Sequence, residues 1–216
     1  GFAGPSLNAL DSTSTRDECI EFLALAAQAA LHLQSFATDV IVFSQTSLAW
    51  TKYPAAFGTG SSMMPNKMNP DAMELLRGEA SALLSAHGHA LTLMKGLPSG
   101  YNRDLQCIKP IIRDAAQRLT GLCRMTAAFL AALEFDAERL ATSLRQGAIE
   151  ATLRMEQLVK QGMPLREAHC MVASEVAGGR PATVGAPESW PHHYATIGSA
   201  NPDETRRIAN VLLEAI

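Results

Sequence analysis

Apolar residues recur at helical spacing over three unusually long stretches. In the first, Phe22, Leu25, Ala29, Leu33, Phe36, Val40 and Phe43 follow one another at three- and four-residue intervals. Ser14 reads as the N-cap of this helix, with Asp17 three residues on in a variant of the capping box. Its polar side is thin, which predicts burial on most faces. The second stretch starts at Asn69-Pro70-Asp71 and runs to about Lys95. Proline at the first helical position loses no hydrogen bond, and an acidic first turn suits the helix dipole. The third runs from about Leu105 to Leu133, with the stripe Ile108, Ile112, Ala115, Leu119, Leu122, Phe129 and Leu133. At ~1.5 Å per residue each helix is on the order of 40 Å long.

After Glu134 the helical segments shorten, to about 136–145, 148–161, 164–177 and 202–215. Gly162 and Gly178-Gly179 read as C-caps, and 178–200 reads as a loop. Strand signal is weak throughout. The expected fold class is all-α: a long-helix bundle over 1–134, followed by a small helical domain over 135–216. The three long helices carry more apolar surface than one three-helix core hides. Partner helices from a missing segment or from other subunits are therefore expected.

Composition narrows the function. The 216 residues are 47 % hydrophobic and 18 % charged, with a net charge of −3. That fits a folded soluble domain and offers no phosphate-binding surface, so nucleic acid is not an expected partner. Residues 20–49 are mostly apolar, but polar side chains interrupt every stretch well short of the ~20 residues of a membrane span. No membrane association is expected. The chain begins at Gly1 without a signal-peptide pattern. Cys19, Cys107, Cys123 and Cys170 form no CxxC pair, so metal and redox motifs are absent. Buried free thiols and a cytoplasmic location are the expectation. His87 and His89, two apart on a helix, face different ways and make no metal pair. No metal or cofactor is called for.

Residues 58–70 break the helical pattern. Gly58-Thr59-Gly60-Ser61-Ser62-Met63-Met64-Pro65 is small, polar and mobile in character. Lys67 and Asn69 then sit just before a helix start. An ammonium, an amide and a positive helix end make a carboxylate site there. The same composition also describes a flexible linker. Asn201-Pro202-Asp203 repeats the Asn-Pro-Asp start, so Asn69 has a capping explanation as well.

The string GSSMMPNKMNP, residues 60–70, resembles the GSSxMPxKxNP signature of the fumarase/aspartase superfamily at every fixed position. GLPSGYNRDLQ, residues 96–106, and QGMPLREAH, residues 161–169, resemble blocks of argininosuccinate lyases. Asn8, Leu10, Asp11, Ser14, Arg16 and Asp17 fit the segment entering that family's first long helix. The resemblance spans nearly the whole chain and about the C-terminal half of the family's usual length.

The resemblance implies elimination of an amine from an N-succinyl compound to give fumarate, most directly argininosuccinate to arginine and fumarate. It implies that Ser61 is the base, supported by Ser62, and that Lys67 and Asn69 bind the carboxylate that becomes an aci-acid. Glu74 would orient a histidine; from its position alone it is equally a first-turn dipole partner. Tyr101, Gln106 and Lys109 would bind substrate, and each also reads as an ordinary surface residue. Arg16 reads as a substrate contact or a structural residue. The chain departs from the family at Asn66 and Met68, where Gln and Lys are common, and at Cys107-Ile108, where two acidic residues are common. The family's acid histidine, its threonine and its asparagine-rich block have no match here. The chain alone is therefore expected to be catalytically incomplete, within a homotetramer whose subunits share each site.

Overall fold

The computed structural model describes residues 4–144, 146–179 and 184–215. Two compact units divide the chain, Gly1–Asp136 and Ala137–Ile216.

In the first unit, α1 (Ala9–Ser14) is a short helix capped by Asn8, whose side chain accepts from the N–H groups of Leu10 and Asp11. It leads into α2 (Asp17–Phe43). Ser14 is thus the last residue of α1 rather than the cap of α2. Its hydroxyl donates back to the Leu10 and Asp11 carbonyls. Arg16 flanks α2 and makes no side-chain cap bond. Two-residue strands follow: β1 (Thr51–Lys52), β2 (Thr59–Gly60) and β3 (Met68–Asn69). Then come α3 (Asp71–Met94), a 3₁₀ turn at Arg103–Cys107, α4 (Ile108–Ala132) and β4 (Glu134–Phe135). β1 pairs antiparallel with β4, and β2 with β3.

The core joins α2, α3 and α4. Leu23, Ala26, Ala30, Ala37 and Val40 of α2 meet Met73, Leu76, Ala80, Leu83 and Ala90 of α3. Ile108, Ala115, Leu122 and Phe129 of α4 close the third side. The α4 stripe matches its sequence pattern. The expected α2 stripe holds at Val40, which is buried, and at Phe22, Leu33 and Phe36, which pack against the core, and fails at Leu25, 58 % exposed; Leu31 and Val42, outside that stripe, are exposed too. Alanines win the inward positions because small side chains let two long helices approach closely. The expectation that α2 is buried on most faces therefore fails within this chain. By length and composition alone α2 is also apolar enough to cross a membrane. Its buried stripe is that of a core helix.

Phe129, fully buried, is the hub at the far end of α4. Phe36, Tyr53 and Phe57 pack on it with ring centroids 6.2, 5.2 and 5.2 Å away. These contacts fix the segment that precedes β2 onto the bundle.

The second unit holds α5 (Ala137–Leu144), α6 (Ala151–Lys160), α7 (Leu165–Ala177) and α8 (Pro202–Glu214). Leu158, Ala168 and Val172 form a small core between α6 and α7. The expected loop over 178–200 contains a 3₁₀ helix, Pro187–His193, started by Pro187 at its first turn; residues 180–183 lie outside the described residues. All four cysteines are free, and Cys107, Cys123 and Cys170 are exposed, which corrects the expectation of buried thiols.

Candidate functional site

The loop at 58–70 is an excursion on a closed base. Thr59 pairs with Asn69, and Gly60 with Met68. A Cβ on Gly58 would lie 2.8 Å from the Asn69 carbonyl oxygen, so only glycine allows this approach. The Thr59 hydroxyl donates to the Asp71 carboxylate, tying β2 to the first residue of α3. Above that base, Lys67 N–H donates to the Met64 carbonyl at 3.0 Å and turns the chain back.

Ser61 is half-buried at the start of the excursion. Its Oγ accepts the backbone N–H of Met63 at 3.2 Å and of Met64 at 3.1 Å. Two donors aimed at one hydroxyl oxygen favour its ionised form, the condition a serine needs to act as a base. The same pattern is a local Ser turn, so it costs the loop no special strain. Ser62 and Lys67 are exposed, and Lys67 forms no ion pair among the described residues. Glu74 is exposed one turn into α3, where its charge bears on the Tyr53 hydroxyl.

Asn69 and Asn201 head the same tripeptide and behave differently. Asn201 caps α8, its Oδ1 accepting Asp203 N–H at 3.0 Å. At α3 the flanking residue is Pro70, with no side-chain cap, and the Asn69 amide has no hydrogen bond among the described residues. The capping explanation holds for Asn201 and not for Asn69. Lys67 and the Asn69 amide thus stand unpartnered beside the positive end of a 24-residue helix, as a carboxylate site requires.

Tyr101, Gln106 and Lys109 lie elsewhere. They follow the C-terminal end of α3, around the 3₁₀ turn and the first turn of α4. The 24 residues of α3 put roughly 36 Å between this group and the loop. Gln106 Nε2 donates to the Tyr101 hydroxyl, so these two form one unit. Asn102 Nδ2 holds the preceding turn through the Pro98 and Gly100 carbonyls, both at 3.0 Å. Lys109 is exposed. Arg16, at the same end, spends its guanidinium on the Thr13 and Thr15 carbonyls, which is a structural use. A polar cavity of 270 Å³ beside this group is lined by Asp11, Ser14, Asp17, Ser99 and Asn102. Among the described residues no group of three His, Cys, Asp or Glu could hold a metal.

A family model described as "Lyase" matches residues 1–84. The argininosuccinate lyase of Symbiobacterium thermophilum is 40 % identical over 176 residues, covering 82 % of this chain and 38 % of that protein. That of Legionella pneumophila strain Lens is 39 % identical over 177 residues, covering 82 % and 43 %. Over 82 % of its length the chain matches a segment of these argininosuccinate lyases. It spans about two fifths of the length of these relatives. Among solved structures, EDDS lyase in complex with formate superposes with a TM-score of 0.78 at 21 % identity, over 99 % of this chain and 49 % of that one. The class II fumarase of Schistosoma mansoni gives 0.67 at 19 % identity, over 88 % and 43 %. These two likenesses show a helical-bundle fold.

Sequence reasoning missed Tyr53, Thr59 and Asp71. Thr59 and Asp71 are twelve residues apart and meet only because the hairpin closes. No periodicity signals such a contact.

Proposed function

We propose that the protein to which this segment belongs is a carbon–nitrogen lyase that eliminates an amine or guanidine from an N-succinyl compound, with argininosuccinate giving arginine and fumarate as its reaction. The observation that carries this reading is the loop: Ser61 Oγ under two backbone N–H groups, with Lys67 and the Asn69 amide free at the start of α3. Ser61 takes the proton from the carbon beside a carboxylate. That carboxylate becomes a dianion, which Lys67, Asn69 and the helix end stabilise. Ser62 supports the loop. The leaving nitrogen is protonated by an acid outside this sequence, which Glu74 helps to orient. Tyr101, Gln106 and Lys109 bind the amine-bearing end of the substrate. No metal or redox cofactor has a role in this scheme.

The ~36 Å between the loop and the Tyr101–Gln106 unit exceeds any small substrate. One substrate touches both only if they come from different copies. Leu25 and Leu31 of α2 and Leu75, Leu84 and Leu91 of α3 are exposed in the isolated chain and supply apolar surface for that assembly, here a homotetramer. A second substrate reading is favoured by Met63, Met64 and Met68, all exposed on the loop. An N-substituted aspartate with an apolar amine suits such a surface. Fumarate release, followed in the ultraviolet with the full-length protein and a set of N-succinyl amines, separates the two. Absence of fumarate from every one of them would sink the lyase reading.

A further inference from the structure

A carboxylate taken out of water normally keeps a cation or hydrogen-bond donors, because an unpaired buried charge is costly. Glu150 has neither. It stands immediately before α6 in the second unit and is 7 % exposed. Its side chain makes no cap bond to α6, and it forms no ion pair among the described residues. Arg154, one helical turn on, is directed to Glu175 instead, at 3.9 Å. The Glu150 oxygens are not sealed off as the unpaired hydroxyls of Thr51 and Thr126 are. The backbone that delivers Glu150 is strained: Gly147 and Ala148 have φ of +75° and +53°, which only the glycine adopts freely.

Glu150 lines a cavity of 210 Å³ whose walls include Leu153, Pro187, Trp190, Pro191 and Tyr194. Among the described lining residues it is the only acidic or basic one. Trp190 and Pro187 come from the 3₁₀ helix Pro187–His193, and Tyr194 follows it. The Trp190 Nε1 donates to the Gly185 carbonyl at 3.3 Å. The indole has no other polar atom, so it offers the cavity ring surface alone.

We propose that this cavity binds a small organic monocation, an alkylguanidinium or alkylammonium, with Glu150 as its counter-charge and Trp190 and Tyr194 as its aromatic wall. The sign of the charge excludes anions, fumarate among them. A neutral apolar ligand would leave the carboxylate unpaired. A metal ion such as calcium takes 6–8 oxygen ligands, and apolar walls around one carboxylate do not supply them. An organic cation meets both halves of the lining. Its charge pairs with Glu150, and its weakly hydrated, apolar body suits aromatic rings and prolines. At ~30 Å³ per liquid water, 210 Å³ is the space of roughly seven waters, so the ligand carries only a few carbons. The site lies wholly in the second unit and does not depend on the lyase reading.

The test is titration calorimetry of the full-length protein with ethylguanidinium and with tetramethylammonium, at an ionic strength held constant with sodium chloride. tert-Butanol, similar in size and uncharged, is the control. Saturable binding of at least one of the two cations is expected, at one site per chain. Glu150→Gln keeps the shape and removes the charge, and should weaken that binding at least tenfold. Trp190→Leu should weaken it several-fold through loss of the ring. tert-Butanol should bind at least tenfold more weakly than tetramethylammonium. Without ligand, Glu150→Gln should keep or raise the thermal midpoint, since it relieves an unpaired buried charge; a carboxylate with a purely structural role would lower it. The proposal is overturned if neither cation saturates, if Glu150→Gln binds as tightly as wild type, or if tert-butanol matches tetramethylammonium. Should Trp190→Leu fail to fold, Glu150→Gln and the uncharged control still decide. None of these readouts needs turnover.

Discussion

The hydroxyl of Thr59 donates to the carboxylate of Asp71, across twelve residues of sequence, and this bond closes the stem from which the Ser61 loop projects. Backbone pairing contributes only the four residues of β2 and β3. Thr59→Val keeps the side-chain shape and deletes the bond. For an exposed hydrogen bond to a charged acceptor the loss is on the order of 1 kcal/mol. That is small against global stability and large against the local opening of a two-residue ladder. The expected outcome is faster amide exchange confined to residues 58–69, with an unchanged thermal midpoint. Exchange that rises equally in α2 and α4 would mean that the bond serves the whole bundle.

Phe129 predicts the opposite pattern. It is fully buried, and three aromatic rings from α2 and from the segment before the loop converge on it. Phe129→Ala should cost about 3–5 kcal/mol, as core phenylalanine truncations do. Because Tyr53 and Phe57 lose their common support, protection around the loop should fall together with the stability of α4. Denaturant unfolding measures the first effect and hydrogen exchange the second. A loss below ~1 kcal/mol would show that the hub carries little of the core.

How much of this was legible beforehand depends on the range of the interaction. The existence and bounds of α3 and α4 follow from local signals: Pro70 and Asp71 at one start, and the Ile108-to-Phe129 stripe. In α2 the expected stripe holds at Phe22, Leu33, Phe36 and Val40 and fails at Leu25, because Leu25 and Ala26 both fit a helical period. Only the closeness of α3 decides that the alanine goes inside. The loop was recognisable from its string, but its stem was not, since strands of two residues leave no periodic trace. Asn69 and Asn201 are identical in local sequence and differ in tertiary surroundings, so no reading of the tripeptide separates them. Likewise Tyr101 and Ser61 belong to one resemblance yet sit at opposite ends of α3, a distance set by helix length and invisible in the motifs.

Ser61→Ala tests the chemistry apart from the fold. The two N–H groups now on Oγ, those of Met63 and Met64, lie in an exposed segment and can turn to water. Stability should change by less than about 0.5 kcal/mol. Turnover of the full-length protein should drop roughly 10²- to 10⁴-fold, the usual contribution of a positioned base, while fumarate affinity stays near wild type. Retained turnover would remove Ser61 as the base. Lost fumarate affinity would place it in carboxylate binding instead.

Glu204 gives the second unit an acid sensitivity of its own. Arg207 binds its carboxylate through Nε at 2.8 Å and Nη2 at 2.7 Å, and Gly198 N–H donates at 3.0 Å. The Arg207 bonds first, then that of Gly198, hold its pKa down at about 2, against 4.5 for the free group. A folded-state pKa below the unfolded one means that the unfolded chain binds the proton more readily. The resulting stabilisation is complete above pH ~4.5 and is lost as pH falls from there towards ~2. Glu204→Gln should remove this part of the pH dependence and leave the rest. Because Arg207 is exposed and Glu204 is only partly covered, added salt should weaken the effect as well. The Glu204 carboxyl resonance, followed by NMR from pH 6 to pH 2, reads the group directly. A midpoint near 4.5 would show that Arg207 and Gly198 do not hold it in solution.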